Sequence, residues 1–222
     1  TPASNYPAKL RLIARELFRT NGDKLFVSYE RNGILLTDTI IPFSINKSNI
    51  SLRFQQDKPC YQVLKNNISY IYPASIRGGE IPDSLNTGGV IIDLRCYPKG
   101  DVKGYWEFLQ LYPAPTTFVK FTTGNATLPG LFSYIQGSKV GNYNTKYYKG
   151  KKVILVNDIT ISHSEFMAMK YRCSPNSIVM GNTTAGSDGN IIKLYLPGGI
   201  STYITGLGVY YPDGTETQQI GI

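Results

Sequence analysis

Val153-Ile154-Leu155-Val156, then Asn157-Asp158-Ile159-Thr160-Ile161-Ser162-His163-Ser164, then Glu165-Phe166-Met167-Ala168-Met169-Lys170, form one unbroken stretch whose reading decides the fold. The first four residues are apolar and mostly β-branched, as in a strand buried on both faces of a mostly parallel sheet. Asn157-Asp158 ends that run, and a hydroxyl-rich turn of Thr160, Ser162 and Ser164 follows. From Glu165 the apolar Phe166, Met167, Ala168 and Met169, with Lys170 and Arg172 outside them, predict a helix. Ser162 therefore falls where a strand hands over to a helix.

A serine in that position can project its hydroxyl from the sheet's carboxyl edge, beside backbone N–H groups that the first helical turn leaves without intrahelical acceptors. Such groups can hold an oxyanion. The simpler reading of Ser162 or Ser164 is a helix N-cap worth roughly 1 kcal/mol. Beyond the helix, a second strand leads into the Gly-rich run Gly181-Asn182-Thr183-Thr184-Ala185-Gly186-Ser187-Asp188-Gly189.

Four further segments keep a fixed order around this unit: GGVIIDLRCYPKGD (88–101) upstream, and GNTTAGSDG (181–189), LPGG (196–199) and GVYYPDGTETQQIGI (208–222) downstream. Together with NDITISHSEFMAMK (157–170) they resemble the C-terminal processing, or tail-specific, serine peptidases, in particular Bacteroidetes-type members related to the tricorn core protease. The resemblance covers about residues 60–222. It implies an α/β core of βα units with a mixed, mostly parallel sheet, a catalytic unit at 43–222, hydrolysis of peptide bonds through an acyl-enzyme on Ser162, and a periplasmic or extracellular setting. It also implies a polypeptide substrate and no cofactor or metal.

Composition agrees with a globular chain. Of 222 residues, 41% are hydrophobic and 17% charged, enough for one substantial core. No apolar run approaches the ~20 residues of a membrane helix. The net charge of +8 comes from scattered Lys and Arg with no nucleic-acid fingerprint, so it reads as solvated surface. One histidine, His163, excludes a multi-histidine metal site, and Cys60, Cys96 and Cys173 are spaced for neither a metal nor an even disulfide set. They are expected as partly buried thiols. The first residues, Thr1-Pro2-Ala3-Ser4, suggest a fragment or processed product.

In chain order, Leu10, Ile13, Ala14, Leu17 and Phe18 recur at helical spacing over 7–19. Strands at 24–30 and 34–41 follow, joined through Asn32-Gly33, the chemistry of a hairpin turn. By resemblance, residues 1–42 are the last part of a PDZ-like module, a device for holding peptide by strand addition. Short strands are expected at 50–54, 61–65, 68–72 and 90–92, a short helix at 105–111, and a strand at 117–121 within a long aromatic span. Tyr143, Tyr147 and Tyr148 in that span are candidates for contact with an extended peptide. Ile191 to Leu196 and Ser201 to Thr205 read as a hairpin, and 206–210 as another strand.

The chemistry requires a partner for the serine hydroxyl. Where tricorn-like relatives carry a histidine, the matching position here is Tyr72, whose ordinary pKa near 10 makes it a poor base and leaves it a cleft-lining or packing role. Where lysine-using relatives carry the base after Thr-x-Gly, this chain has Ser187 after Thr184-Ala185-Gly186. Three substitutes remain open: His163, Lys193 and Ser187, with Lys170 expected to face solvent. Asp188 and Gly186 are candidates for the substrate side of the cleft, Asp188 accepting a hydrogen bond from Ser187 or a water. The N–H groups near His163 and Gly100 are the candidate oxyanion donors, and Asp93 and Arg95 a pair at the sheet's end. The missing base also supports a second reading, a catalytically impaired peptidase-like protein that binds peptides or partners without turnover.

Overall fold

The computed structural model describes residues 3–44, 58–75, 81–82, 84–98, 110–125, 127–128 and 130–222. In chain order the elements are helix α1 (Tyr6–Glu16), strands β1 (Leu25–Arg31), β2 (Ile34–Ile40), β3 (Tyr61–Leu64), β4 (Ile68–Ile71), β5 (Gly89–Asp93), β6 (Thr116–Gly124), β7 (Phe132–Val140) and β8 (Lys151–Val156). Helix α2 (His163–Arg172) and strands β9 (Ser177–Gly181), β10 (Ile191–Leu196), β11 (Ile200–Thr205) and β12 (Gly208–Tyr210) complete the series.

The central sheet runs β3-β4-β5-β8-β9, with β4, β5, β8 and β9 mutually parallel and β3 antiparallel at the edge. This is the mixed, mostly parallel α/β sheet expected from the sequence. The apolar run of β8 explains its place: Ile154 and Val156 are buried, Ile154 pairs with Ile92 of β5 and Val179 of β9, and α2 returns over the sheet as the β8-to-β9 crossover. Met167, Ala168, Met169 and Tyr171 of α2 are buried against this sheet in the same core as Ile71, Val90, Ile92 and Leu94. A second sheet, β12-β6-β7, is antiparallel, and the β6–β7 pairing carries register shifts near Val119. Phe118 of β6 meets Phe166 of α2 edge-on at 5.1 Å between ring centres.

Lys152 lies in this core with no exposure, and its Nζ donates to the carbonyls of Tyr148, Gly150 and Pro175 at 3.1, 3.2 and 2.7 Å. Three fixed acceptors replace the water shell that a buried ammonium loses, and burial still lowers its pKa to about 8.

The N-terminal helix and hairpin form as expected, with Asn32 and Gly33 at φ 54° and 77° in the turn that matches a twisted two-residue hairpin. The hairpin pairs only with itself among the described residues, and every residue of β2 is exposed. Helix α1 buries only Ala8. Cys60, Cys96 and Cys173 are outside any disulfide, the first two buried and the third half-buried. The strand expected at 50–54, most of the helix expected at 105–111, and Gly100 lie outside the described residues.

Candidate active site

The hand-over from β8 to α2 is held by its own polar side chains. Asn157 N–H donates to Thr160 Oγ1 at 3.0 Å, Ile159 N–H donates to Asn157 Oδ1 at 3.2 Å, and the Thr160 hydroxyl donates to the carbonyl of Leu94, just past β5, at 2.9 Å. Ser164, fully buried, donates its hydroxyl to the carbonyl of Cys96. The hydroxyl-rich composition of the turn thus stitches it to the end of the neighbouring strand, and leaves Ser162 as the hydroxyl that lines the cleft.

Ser162 is the residue before α2 and has φ 53° and ψ −115°, a region that side chains other than glycine rarely occupy. An ordinary N-cap serine is extended, so capping alone does not account for this backbone. Glu165, three residues on, meets this backbone with its Oε2, which accepts the Ser162 N–H at 2.9 Å. The same carboxylate, 1% exposed, accepts from the Thr184 hydroxyl at 2.5 Å and from the N–H groups of Gly186 and Ser187 at 2.6 and 2.9 Å. Burial raises its pKa, and those four donors work against the rise. One carboxylate therefore fixes the serine turn and the Gly-rich loop to each other.

The loop has further supports. Gly186 sits at φ 64°, and a Cβ there would come within 3.0 Å of Asn5 Nδ2 and of the Gln219 backbone. Asn5, the N-cap of α1, donates its amide to the Thr184 carbonyl at 2.7 Å, and Ser4 bonds both the Ala185 carbonyl and, at 2.5 Å, the Ser187 hydroxyl. On the other side Gln218 Nε2 donates to the Asp188 carbonyl at 2.7 Å, and Gln219 N–H donates to the Gly186 carbonyl at 2.8 Å.

Two adjoining hollows of about 810 and 630 Å³ open beside Ser162, the size of pockets that take a small ligand or a few side chains. Ser162, Asp188 and Gly189 line both. The larger is also walled by Phe132, Tyr134 and Tyr210 of the second sheet, the smaller by Tyr97, Phe121, Phe166 and Val209. No lysine or arginine among the described residues lines either one.

At the end of β5, Asp93 is 1% exposed and accepts from Arg95 at 2.9 and 2.8 Å and from the Tyr70 hydroxyl at 2.6 Å. Burial alone would raise the Asp93 pKa, but the Arg95 and Tyr70 hydrogen bonds outweigh it and the net shift is downward. The expected Asp93–Arg95 pair is present and braces the loop that leaves the sheet.

The other candidates are distributed unevenly. His163 lines the smaller hollow with its ring centre 6.3 Å from that of Tyr97; burial and the charge of Lys170 lower its pKa, so the imidazole is neutral at pH 7. Ser187 is committed to Ser4 and Glu165. Lys193 is exposed on β10, over the rings of Tyr195 and Tyr203 at 5.0 and 6.0 Å, and does not line the cleft. Lys170, expected to face solvent, is half-buried, and its Nζ lies over Phe166 and Phe118 at 4.8 and 5.4 Å. Tyr72 is 1% exposed with Lys58 over its ring at 5.1 Å, so it packs in the interior and lines neither hollow. Tyr143 is 87% exposed, Tyr147 half-buried, and Tyr148 belongs to the core.

The family model for "Peptidase family S41" matches residues 81–222. The chain belongs to peptidase family S41. Among solved structures, this S41 chain is similar to mature CPAF complexed with lactacystin, with a TM-score of 0.65 at 11% identity over 98% of this chain and 67% of that one. A putative peptidase from Parabacteroides merdae gives a TM-score of 0.60 at 18% identity, covering 73% of this chain and 54% of that one. The photosystem II D1 C-terminal processing protease gives 0.50 at 13% identity over 96% and 57%. These likenesses concern the fold, and the S41 chain spans between about half and two thirds of the length of those structures. No curated protein matches its sequence closely.

Glu165 and Asp188 are the residues whose weight the sequence alone underrates. A signal for Glu165 was present, since a serine followed three residues later by glutamate is the pattern of a capping box. Nothing in the sequence says that the same carboxylate would also hold a loop some twenty residues away.

Proposed function

We propose that the chain is a serine peptidase that hydrolyses peptide bonds in polypeptide substrates, with Ser162 as nucleophile. The observation that carries this reading is the left-handed backbone of Ser162 at a strand-to-helix turn, in a cleft, held by a buried carboxylate. Membership of family S41 supports the same chemistry. Attack of Ser162 Oγ on a peptide carbonyl gives an acyl-enzyme, and the N–H of His163, the first residue of α2, donates to the oxyanion. Water then releases the acyl group. The aromatic walls of both hollows suit an extended chain with apolar side chains. In this reading residues 1–42 belong to a peptide-holding module preceding the core, and the protein acts in the periplasm or outside the cell, as its family resemblance implies.

A fluorophosphonate probe tests the assignment. Wild-type protein is expected to label at Ser162 in the peptide mapped by mass spectrometry, while folded Ser162→Ala shows none; labelling of both, or of neither, overturns it. A second reading, a peptide-binding protein without turnover, draws on the hydroxyl of Ser187 standing where lysine-using relatives place their base, and absence of labelling in folded wild type together with retained peptide binding favours it.

A further inference from the structure

A serine in this cleft needs a proton acceptor, and the residues expected to supply one are engaged, turned away or without an orienting partner. His163 has no carboxylate bonded to its ring among the described residues, Lys193 lies outside the cleft, and the Ser187 hydroxyl is held by Ser4. Asp188 differs from all three. It is 93% buried, since only 7% of it is exposed, and it borders both hollows together with Ser162. One carboxylate oxygen, Oδ1, accepts the Gly189 N–H at 2.8 Å, while Oδ2 has no hydrogen-bond partner among the described residues. A buried, unpartnered carboxylate oxygen is costly to keep. Its surroundings are fixed, because Gln218 grips its carbonyl and Glu165 the N–H of the residue before it.

We propose that Asp188 is the general base of this site, its Oδ2 receiving the Ser162 proton. The inference rests on Ser162 being the nucleophile. As Oγ bonds to the carbonyl carbon, its proton passes to Asp188 and the carbonyl electron pair moves onto oxygen. When the C–N bond breaks, the Asp188 proton goes to the leaving amine. Water then adds to the acyl carbon and gives a proton to Asp188, and the Ser162 oxygen leaves and takes that proton back, so carboxylate and hydroxyl are both restored. Burial pushes the Asp188 pKa up to about 7, the Gly189 N–H opposes that rise and the charge of Glu165 adds to it. A base so poised suits neutral pH. The titratable groups around it are His163 of α2, Tyr97, Tyr134 of β7 and Tyr210 of β12 on the walls and Glu165 behind them, and no Lys or Arg among the described residues lines either hollow.

The test is the rate of fluorophosphonate labelling at Ser162 from pH 5 to 9 in wild type, Asp188→Asn and Asp188→Ala, with folding followed by circular dichroism. Wild type is expected to label with a rate that rises through a midpoint near 7. Asp188→Asn is expected to lose about 100-fold or more and the pH-dependent rise, and added formate is expected to restore part of the rate in Asp188→Ala. Folded Asp188→Asn that labels at the wild-type rate with the wild-type profile overturns the role of Asp188 while leaving Ser162 in place. Absence of labelling in wild type overturns both. If neither variant folds, the wild-type profile decides, and a rate flat from pH 5 to 9 overturns the proposal.

Discussion

At Ser162, reactivity and stability oppose each other. Its φ of 53° with ψ −115° is a conformation in which a Cβ costs about 1–3 kcal/mol. Glycine has no such cost. Ser162→Gly is therefore expected to raise thermal stability by about 1 kcal/mol while abolishing probe labelling; a loss of stability in chemical denaturation would show that the Ser162 hydroxyl contributes more than its backbone costs. That this residue stands at a strand-to-helix turn was legible in the sequence, because the change from β-branched run to helical periodicity brackets it. Its strain was not, because the groups that meet this backbone are Glu165 and, through Glu165, a loop beyond residue 180.

Among the elements, α2 and the Gly-rich loop act as one piece because four hydrogen bonds converge on Glu165. Glu165→Gln keeps the shape but replaces one acceptor oxygen with a donor, so two of those N–H or O–H groups face an NH₂. The expected cost is about 1–3 kcal/mol, with faster amide exchange at Gly186 and Ser187 in hydrogen-exchange measurements. Unchanged exchange at those two amides would mean that Asn5 and Gln219 hold the loop unaided. Period and turn chemistry located β8, α2, β10, β11 and the β1–β2 hairpin in the sequence, since each has a local cause. The place of Tyr72 in the interior and of Lys170 over two rings was not readable, because each environment depends on what packs from elsewhere: Lys58 over the ring of the one, Phe118 and Phe166 beneath the ammonium of the other. No spacing rule contains that information.

For the molecule as a whole, two buried ionisable groups give stability a pH dependence that surface charge does not. Asp188 has its pKa raised from 3.8 to about 7, so between those values the folded chain holds a proton that the unfolded chain has lost. Its contribution is complete below pH 3.8 and is lost as pH rises through about 7. Lys152 behaves in the opposite direction. Its pKa falls from 10.5 to about 8, so its contribution is present above 10.5 and is lost as pH falls through about 8. Denaturation of wild type against Asp188→Asn is expected to differ in slope between pH 4 and 7, and against Lys152→Met between pH 8 and 10.5; parallel curves in both windows would refute the assignment. The fold class was readable from the sequence because a mostly parallel sheet leaves a local apolar signature at each strand. The cleft was not, being built where chain segments far apart in sequence meet. Asn5 and Thr184 are 179 positions apart and Ser4 and Ser187 are 183 apart, yet they hold the same loop. Contacts of such separation close late when a chain folds, after local helices and hairpins have formed. The loop beside Ser162 therefore answers to the far end of the chain, and exchanging Ser4 and Asn5 for alanine would loosen it without altering one residue of its own sequence.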